Sequence, residues 1–160
     1  MRNFTGTTTD SEGFKVRSLL TLANIVDESE AHFLDDEANV IQILIDYCVA
    51  ALKAEYHNYI LITDHSKYYF YLADLLIGLQ KLSSVDSNKT KIVQLNGIPL
   101  LNDCLKEGTD REKIAASSTV WSLAFVDEGR NAIKESELPA TLETLVESGN
   151  NELRRPVKGE

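Results

Sequence analysis

Asp64-His65-Ser66 holds the three residue types of a hydrolase triad. Side chains of adjacent residues diverge, however, and cannot form the line of hydrogen bonds along which such a triad passes a proton. The three histidines, His32, His57 and His65, have no i, i+4 spacing and no cysteine at ligand distance in sequence, so they do not make a zinc site. Asp86, Asn88 and Thr90 copy the opening positions of a calcium loop, yet Lys91 stands where the loop needs glycine and Gly97 where it needs a bidentate acid. No glycine-rich phosphate loop occurs. Asn3-Phe4-Thr5 and Asn88-Lys89-Thr90 are glycosylation sequons, which matter only in a secreted chain. These residues lead us to expect no enzyme, no catalytic residue, no metal and no cofactor.

The composition points the same way. The 160 residues, 43% apolar and 26% charged, suit one domain with a sizeable core. A formal charge of -9 argues against nucleic acid and against acidic membrane surfaces, both of which attract cationic proteins. No apolar run approaches the roughly 20 residues that span a bilayer, and the polar, Thr-rich start (Thr5, Thr7, Thr8, Thr9) is no signal peptide. Cys48 and Cys104 lie in apolar helical stretches and read as buried, reduced thiols, so the expected location is the cytoplasm.

Periodicity supplies the elements. Residues 1–13 read as a flexible tail. From Phe14, the apolar residues Val16, Leu19, Leu20 and Ala23 recur at helical spacing, and a second helix opens at Asp35-Asp36-Glu37 with the stripe Ile41, Leu44, Ile45, Cys48 and Leu52. The stretch 53–67 reads as an irregular insertion. Within it Tyr59-Ile60-Leu61-Ile62-Thr63 fits a strand or a buried helical turn, and a loop with a short helix is expected. A strong helix follows from about Ser66, with Leu72, Leu75, Leu76, Leu79 and Leu82 on one face. Short and long helices then alternate: one stopped by Asn96-Gly97, one with Pro99 in its first turn, a long one from Thr109 to Val126, a short one through Ile133 and one opened by Pro139. Every expected element is helical, so the fold class is all-α.

The chain also repeats itself. Lys81-Leu82-Ser83-Ser84-Val85-Asp86-Ser87-Asn88-Lys89 and Ser122-Leu123-Ala124-Phe125-Val126-Asp127-Glu128-Gly129-Arg130 match with Leu82 and Leu123 in register, and Ile98-Pro99 matches Leu138-Pro139 one residue short of that offset. A unit of roughly 40–47 residues with two or three helices is the spacing of armadillo and HEAT arrays. Asn88 to Leu101, with a short helix ending in Gly97 and the Ile98-Pro99 pair opening the next, closely resembles the armadillo repeat, and Ala115-Ala116 through Ala124 looks like that family's long third helix. The resemblance covers about two repeats from Tyr69 to Gly149. It implies an armadillo-like right-handed α-α superhelix of about three repeats over residues 14–160. The last repeat, residues 150–160, stops where a further helix would start, so the chain reads as part of a longer protein.

Armadillo proteins bind extended peptides along successive third helices, through a ladder of Asn with Trp four residues earlier. Here Asn24, Lys81 and Ser122 take the Asn position, and Leu20, Ile77 and Ser118 the Trp position, so nuclear-import activity is not expected. The resemblance implies a non-catalytic interaction module or scaffold for a protein or peptide partner, with Arg17, Asn24, Asp74, Lys81, Ser118 and Ser122 exposed in its groove. The alternative is a structural or autoinhibitory arm of a larger signalling protein, for example one whose TIR domain lies outside this chain. A truncated stack could also associate end to end. Trp121 is expected in the core or between repeats, with an exposed anchor as the alternative, and the tyrosines between Tyr47 and Tyr71 over the base of the insertion, with an aromatic contact surface as the alternative.

Overall fold

The helix at the centre of the chain, Leu72–Leu82, shows how the sequence builds this molecule. Leu72, Leu75, Leu76, Leu79 and Leu82 are buried on one side of it, while Ala73 and Gly78 let neighbours approach the other. It can therefore be contacted on several flanks at once. The computed structural model describes residues 4–26 and 39–148. Among these, the order is β1 (Phe4–Thr7), α1 (Asp10–Ile25), α2 (Val40–Leu52), β2 (Asn58–Ile62), β3 (Lys67–Tyr71), α3 (Leu72–Leu82), α4 (Asp86–Gln94), α5 (Gly97–Glu107), α6 (Asp110–Leu123), α7 (Asp127–Glu135) and α8 (Leu138–Glu147).

The helices lie in three rows. α1, α3 and α6 pack in succession, as do α2, α5 and α8, and α4 packs on α7. Rows are joined by α2 against α3 and α5 against α6. One contiguous core runs through them, from Ile41 and Leu44 through Leu76 and Leu79 to Leu101, Leu123 and Leu138. Cys48 and Cys104 are both buried in it, as the sequence leads one to expect. Among the described residues no helix is long and apolar enough to cross a membrane.

The molecule is mostly helical, as the all-α reading expects, with one small sheet that this reading does not include. A three-stranded sheet in the order β1-β2-β3 adjoins the helices, with β1 parallel and β2 antiparallel to its neighbour. This corrects three expectations. Phe4–Thr7 is no flexible tail: its backbone pairs with Tyr59–Ile62, and Gly6 leaves room for the Tyr59 hydroxyl, which a Cβ there would meet at 1.9 Å. The stretch 53–67 is not a loop with a short helix, because Tyr59–Ile62 finds strand partners on both sides. The helix expected from Ser66 begins at Leu72, since Lys67–Tyr71 is extended against β2. The acidic start Asp35-Asp36-Glu37 and residues 150–160 lie outside the described residues.

β2 and β3 turn over Asp64-His65, with the Thr63 N–H donating to the Ser66 carbonyl at 2.8 Å. Tyr68 and Phe70 of β3 face the helices: Arg17 of α1 lies 5.2 Å from the Tyr68 ring centre, and Tyr47 of α2 lies 4.1 Å from Tyr59 and 5.4 Å from Phe70. Lys67, Tyr69 and Tyr71 face away and are exposed.

Gly129 offers a test of this packing. A Cβ there would stand 2.0 Å from the Leu123 carbonyl oxygen, a backbone atom that cannot step aside. Gly129→Ala improves helix propensity by about 1 kcal/mol, yet it should destabilise the chain by about 1–3 kcal/mol through overpacking. Urea unfolding followed by circular dichroism reads the sign; a stabilised variant would contradict the α6–α7 junction described.

Candidate functional site

α1, α3 and α6 carry the six residues expected at a binding groove. Arg17 on α1 is exposed, stacked over Tyr68. Asn24, half-buried near the end of α1, turns its amide back to the Leu20 carbonyl at 3.0 Å. Asp74 on α3 accepts from Arg111 of α6 at 2.9 Å. Lys81 donates to the Asn24 carbonyl, and the Ser122 hydroxyl donates to the Ser83 carbonyl at 2.5 Å. Ser118 is half-buried.

Arg17, Asn24 and Asp74 do come together, around a cleft of about 180 Å³ that Tyr69 and Tyr71 of β3 also line. Ser118 and Ser122 do not line it. Lys81 and Ser122 have a different occupation. The last carbonyls of a helix have no partner within it, and a cation at that end also suits the helix dipole. Lys81 satisfies the end of α1 and Ser122 the C-cap residue of α3. Two of the three residues at the ladder position therefore hold one row of helices together. A wider concavity, about 560 Å³, opens among Leu105, Lys106, Lys113, Glu137, Thr141 and Leu145, and none of the expected site residues lines it.

Several aromatic residues are more exposed than the sequence leads one to expect. Trp121 is not in the core: it is 44% exposed and meets the 60% exposed Phe125 edge-on at 5.1 Å. The core-facing stripe of α6 runs through Ala116, Val120 and Leu123, and Trp121 falls just off it. Tyr69 and Tyr71, each 53% exposed, stand out from the sheet rather than cover it. Arg111 gave no signal because its partner Asp74 is remote in sequence.

The two described histidines are each bound to a carboxylate. His57, in the left-handed region at φ 46°, places Nδ1 2.8 Å from Oε2 of Glu112, which is buried. The same oxygen accepts from the Thr109 N–H at 2.7 Å, so Glu112 closes the start of α6 and ties β2 to it at once. His65 meets Asp10, not its neighbour Asp64, and its N–H also donates to Asp10 at 3.2 Å. Ser66 gives its backbone N–H to the Thr63 hydroxyl at 3.1 Å. The Thr63 hydroxyl and His65 hold the Asp10 carboxyl down at about 2. Burial pushes the Cys104 thiol up to about 12 and raises Cys48 as well, so neither is a thiolate at neutral pH. The sequon residue Asn88 is buried, with its amide donating to the Leu82 carbonyl at 3.1 Å, and is not placed to accept a glycan.

Comparison with known protein families, with curated proteins and with solved structures finds no match for this chain.

Two substitutions test these ties. Glu112→Ala leaves the Thr109 N–H without its acceptor and His57 without its partner, and should cost about 1–3 kcal/mol in urea unfolding. Asp10 has a folded-state pKa below its unfolded value, so its contribution is present above about pH 4 and is lost as pH falls through about 2. Asp10→Asn should therefore lower the urea midpoint at pH 6, and the gap to the parent chain should close between about pH 4 and pH 2.

Proposed function

We propose that this chain is a right-handed armadillo-like α-solenoid that works as a non-catalytic protein-interaction module. It meets a protein or peptide partner on the face of α1, α3 and α6. The observation that supports the repeat is a local geometry that recurs at one offset. Lys89 pairs with Asp86 at 2.6 Å, and Arg130 pairs with Asp127 in the same i, i+3 arrangement. Asn88 packs its amide on the Leu82 carbonyl, while its counterpart Gly129 packs its bare Cα side on the Leu123 carbonyl. Side chains also bond across to the equivalent helix of the next unit: Thr141 to Asn102 at 2.7 Å, Thr90 to Glu128 at 2.6 Å, Ser122 to Ser83. Identical junctions repeated along a chain stack it into a one-dimensional array with an extended binding surface.

On that surface the polar groups left to face a partner are Arg17, the Asp74–Arg111 pair and Ser118; Trp121 stands on α6, and Phe125 meets it just past the end of that helix, next to Lys89 of α4. A rigid aromatic pair of this kind supplies contact area at low entropic cost and commonly dominates an interface. The partner is held by shape and these few contacts, with no bond made or broken.

Affinity capture on the immobilised chain tests the reading. Trp121→Ala with Phe125→Ala removes two half-exposed rings and the contact of Phe125 with the Lys89 ammonium, 5.8 Å from its ring centre, so the chain should stay folded with a somewhat lower melting temperature, while the proteins retained by the parent chain should fall by about tenfold or more. An identical set and amount of captured protein from both chains would remove this face from consideration.

A further inference from the structure

We propose that the open edge of β3 binds an extended acidic peptide, which adds to the sheet as a fourth strand. The ladder fixes which backbone groups are free. At one end of the β2–β3 pair the Thr63 N–H donates to Ser66, and at the other the Leu72 N–H donates to His57, both at 2.8 Å. Antiparallel pairs alternate between those that exchange hydrogen bonds and those that do not. With Leu61 opposite Tyr68 and Tyr59 opposite Phe70, these two pairs are the bonded ones, and Lys67, Tyr69 and Tyr71 belong to the unbonded pairs. The N–H groups of Lys67, Tyr69 and Tyr71 and the carbonyls of Lys67 and Tyr69 therefore point away from β2. Among the described residues β3 is the last strand of the sheet, so these groups meet no further strand there. They recur about every 7 Å, the two-residue repeat of a strand, and form the template to which an extended peptide adds.

What lies beside the edge gives the occupant's chemistry. The cleft of about 180 Å³ begins at Tyr69 and Tyr71 and is walled by Arg17 and Asn24 on the far side. It offers an incoming strand room for side chains. In a chain of net charge -9, this edge is flanked by cations. Arg17 and Lys67 have no carboxylate partner among the described residues, and Asp74, the one acid lining the cleft, is engaged by Arg111. Acidic side chains on the peptide complement that rim. The exposed rings of Tyr69 and Tyr71 receive its apolar or β-branched residues, as cross-strand neighbours do. This site is distinct from the α6 aromatic pair and does not rest on the solenoid reading.

The test starts from random peptides of about ten residues displayed on phage and selected on the whole chain, with the selected sequences then made synthetically and titrated by fluorescence anisotropy. The expected binders are rich in Asp, Glu and β-branched residues. Methylating their backbone nitrogens one at a time should weaken binding at alternate positions only. Tyr69→Pro removes an outward N–H and leaves every β2–β3 bond intact, so affinity should fall about tenfold or more, while Tyr69→Thr, which keeps that N–H, should stay within about threefold. Lys67→Glu should weaken acidic peptides most at low salt. If Tyr69→Pro does not fold, the methylation scan on the unaltered chain decides. The proposal is overturned by a selection without binders or without acidic enrichment, by a methylation scan without alternation, or by binding that survives Tyr69→Pro in a folded chain. It is also overturned if sedimentation shows a dimer that Tyr69→Pro dissolves, since the edge then belongs to a second copy. Peptide binding lost in the Trp121, Phe125 double variant but kept in Tyr69→Pro would overturn it and leave the α6 reading standing.

Discussion

Everything about the sheet depends on a junction without a linker. Tyr71 is both the last residue of β3 and the N-cap of α3, and the Leu72 N–H still reaches back to His57 after the helix has begun. A strand joined this way cannot swing independently of its helix, because no residue with free φ and ψ lies between them. α3 is in turn pinned on several flanks by α1, α2 and α6. The hairpin is thus held at a set angle by a helix that is buried along most of its length. The two histidine–carboxylate ties complete the arrangement, since His57 fixes one end of β2 to α6 and His65 fixes the turn to α1. Each spans 55 residues of sequence.

This arrangement explains which parts of the molecule can be read from the sequence. The stripes of α3 and α5 are local and periodic, so Leu76, Leu79, Leu101 and Cys104 announce both the helices and their buried faces. The correspondence of Leu82 with Leu123 likewise survives in the structure as two buried leucines at equivalent helix ends. The sheet has no such signature. Phe4–Thr7 contains a glycine and two threonines and becomes a strand only because Tyr59–Ile62 lies beside it. Lys67–Tyr71 is aromatic enough for a strand, but it runs straight into a leucine-rich helix, and the helical period masks the boundary. Non-local pairing is decided by a partner, and a single pass along the chain does not show the partner.

The candidate site divides along the same line. That Arg17, Asn24 and Asp74 would share a face is what the armadillo resemblance implies, and these three do line one cleft. What a resemblance cannot show is whether a polar group is already spent. Lys81 and Ser122 sit where a groove residue should, yet their donors go to carbonyls at the end of the preceding helix. A helix end buried without such donors would leave unpaired acceptors in a low-dielectric setting, at a cost comparable to a lost hydrogen bond. In a row of stacked helices the same positions are therefore claimed by two needs, joining the row and meeting a partner. Here the first need takes Lys81 and Ser122, two of the three residues at which the proposed solenoid would carry its ladder, and the proposed recognition falls to other residues.

The off-ladder residues share a physical character that the ladder lacks. Trp121, Phe125, Tyr69 and Tyr71 are all large aromatic rings that stand substantially exposed. Leaving such rings in water costs free energy that burial would return at roughly 25 cal/mol per Å² of apolar surface. Scattered singly they would need no explanation. Paired edge-on at 5.1 Å at the end of α6, or alternating along the β3 strand with its backbone groups outward, they form two surfaces of different chemistry on one fold. The α6 pair offers area without direction, whereas the strand edge offers hydrogen bonds at a set spacing. A partner that used both would be held in one orientation by the edge and gain its affinity from the rings.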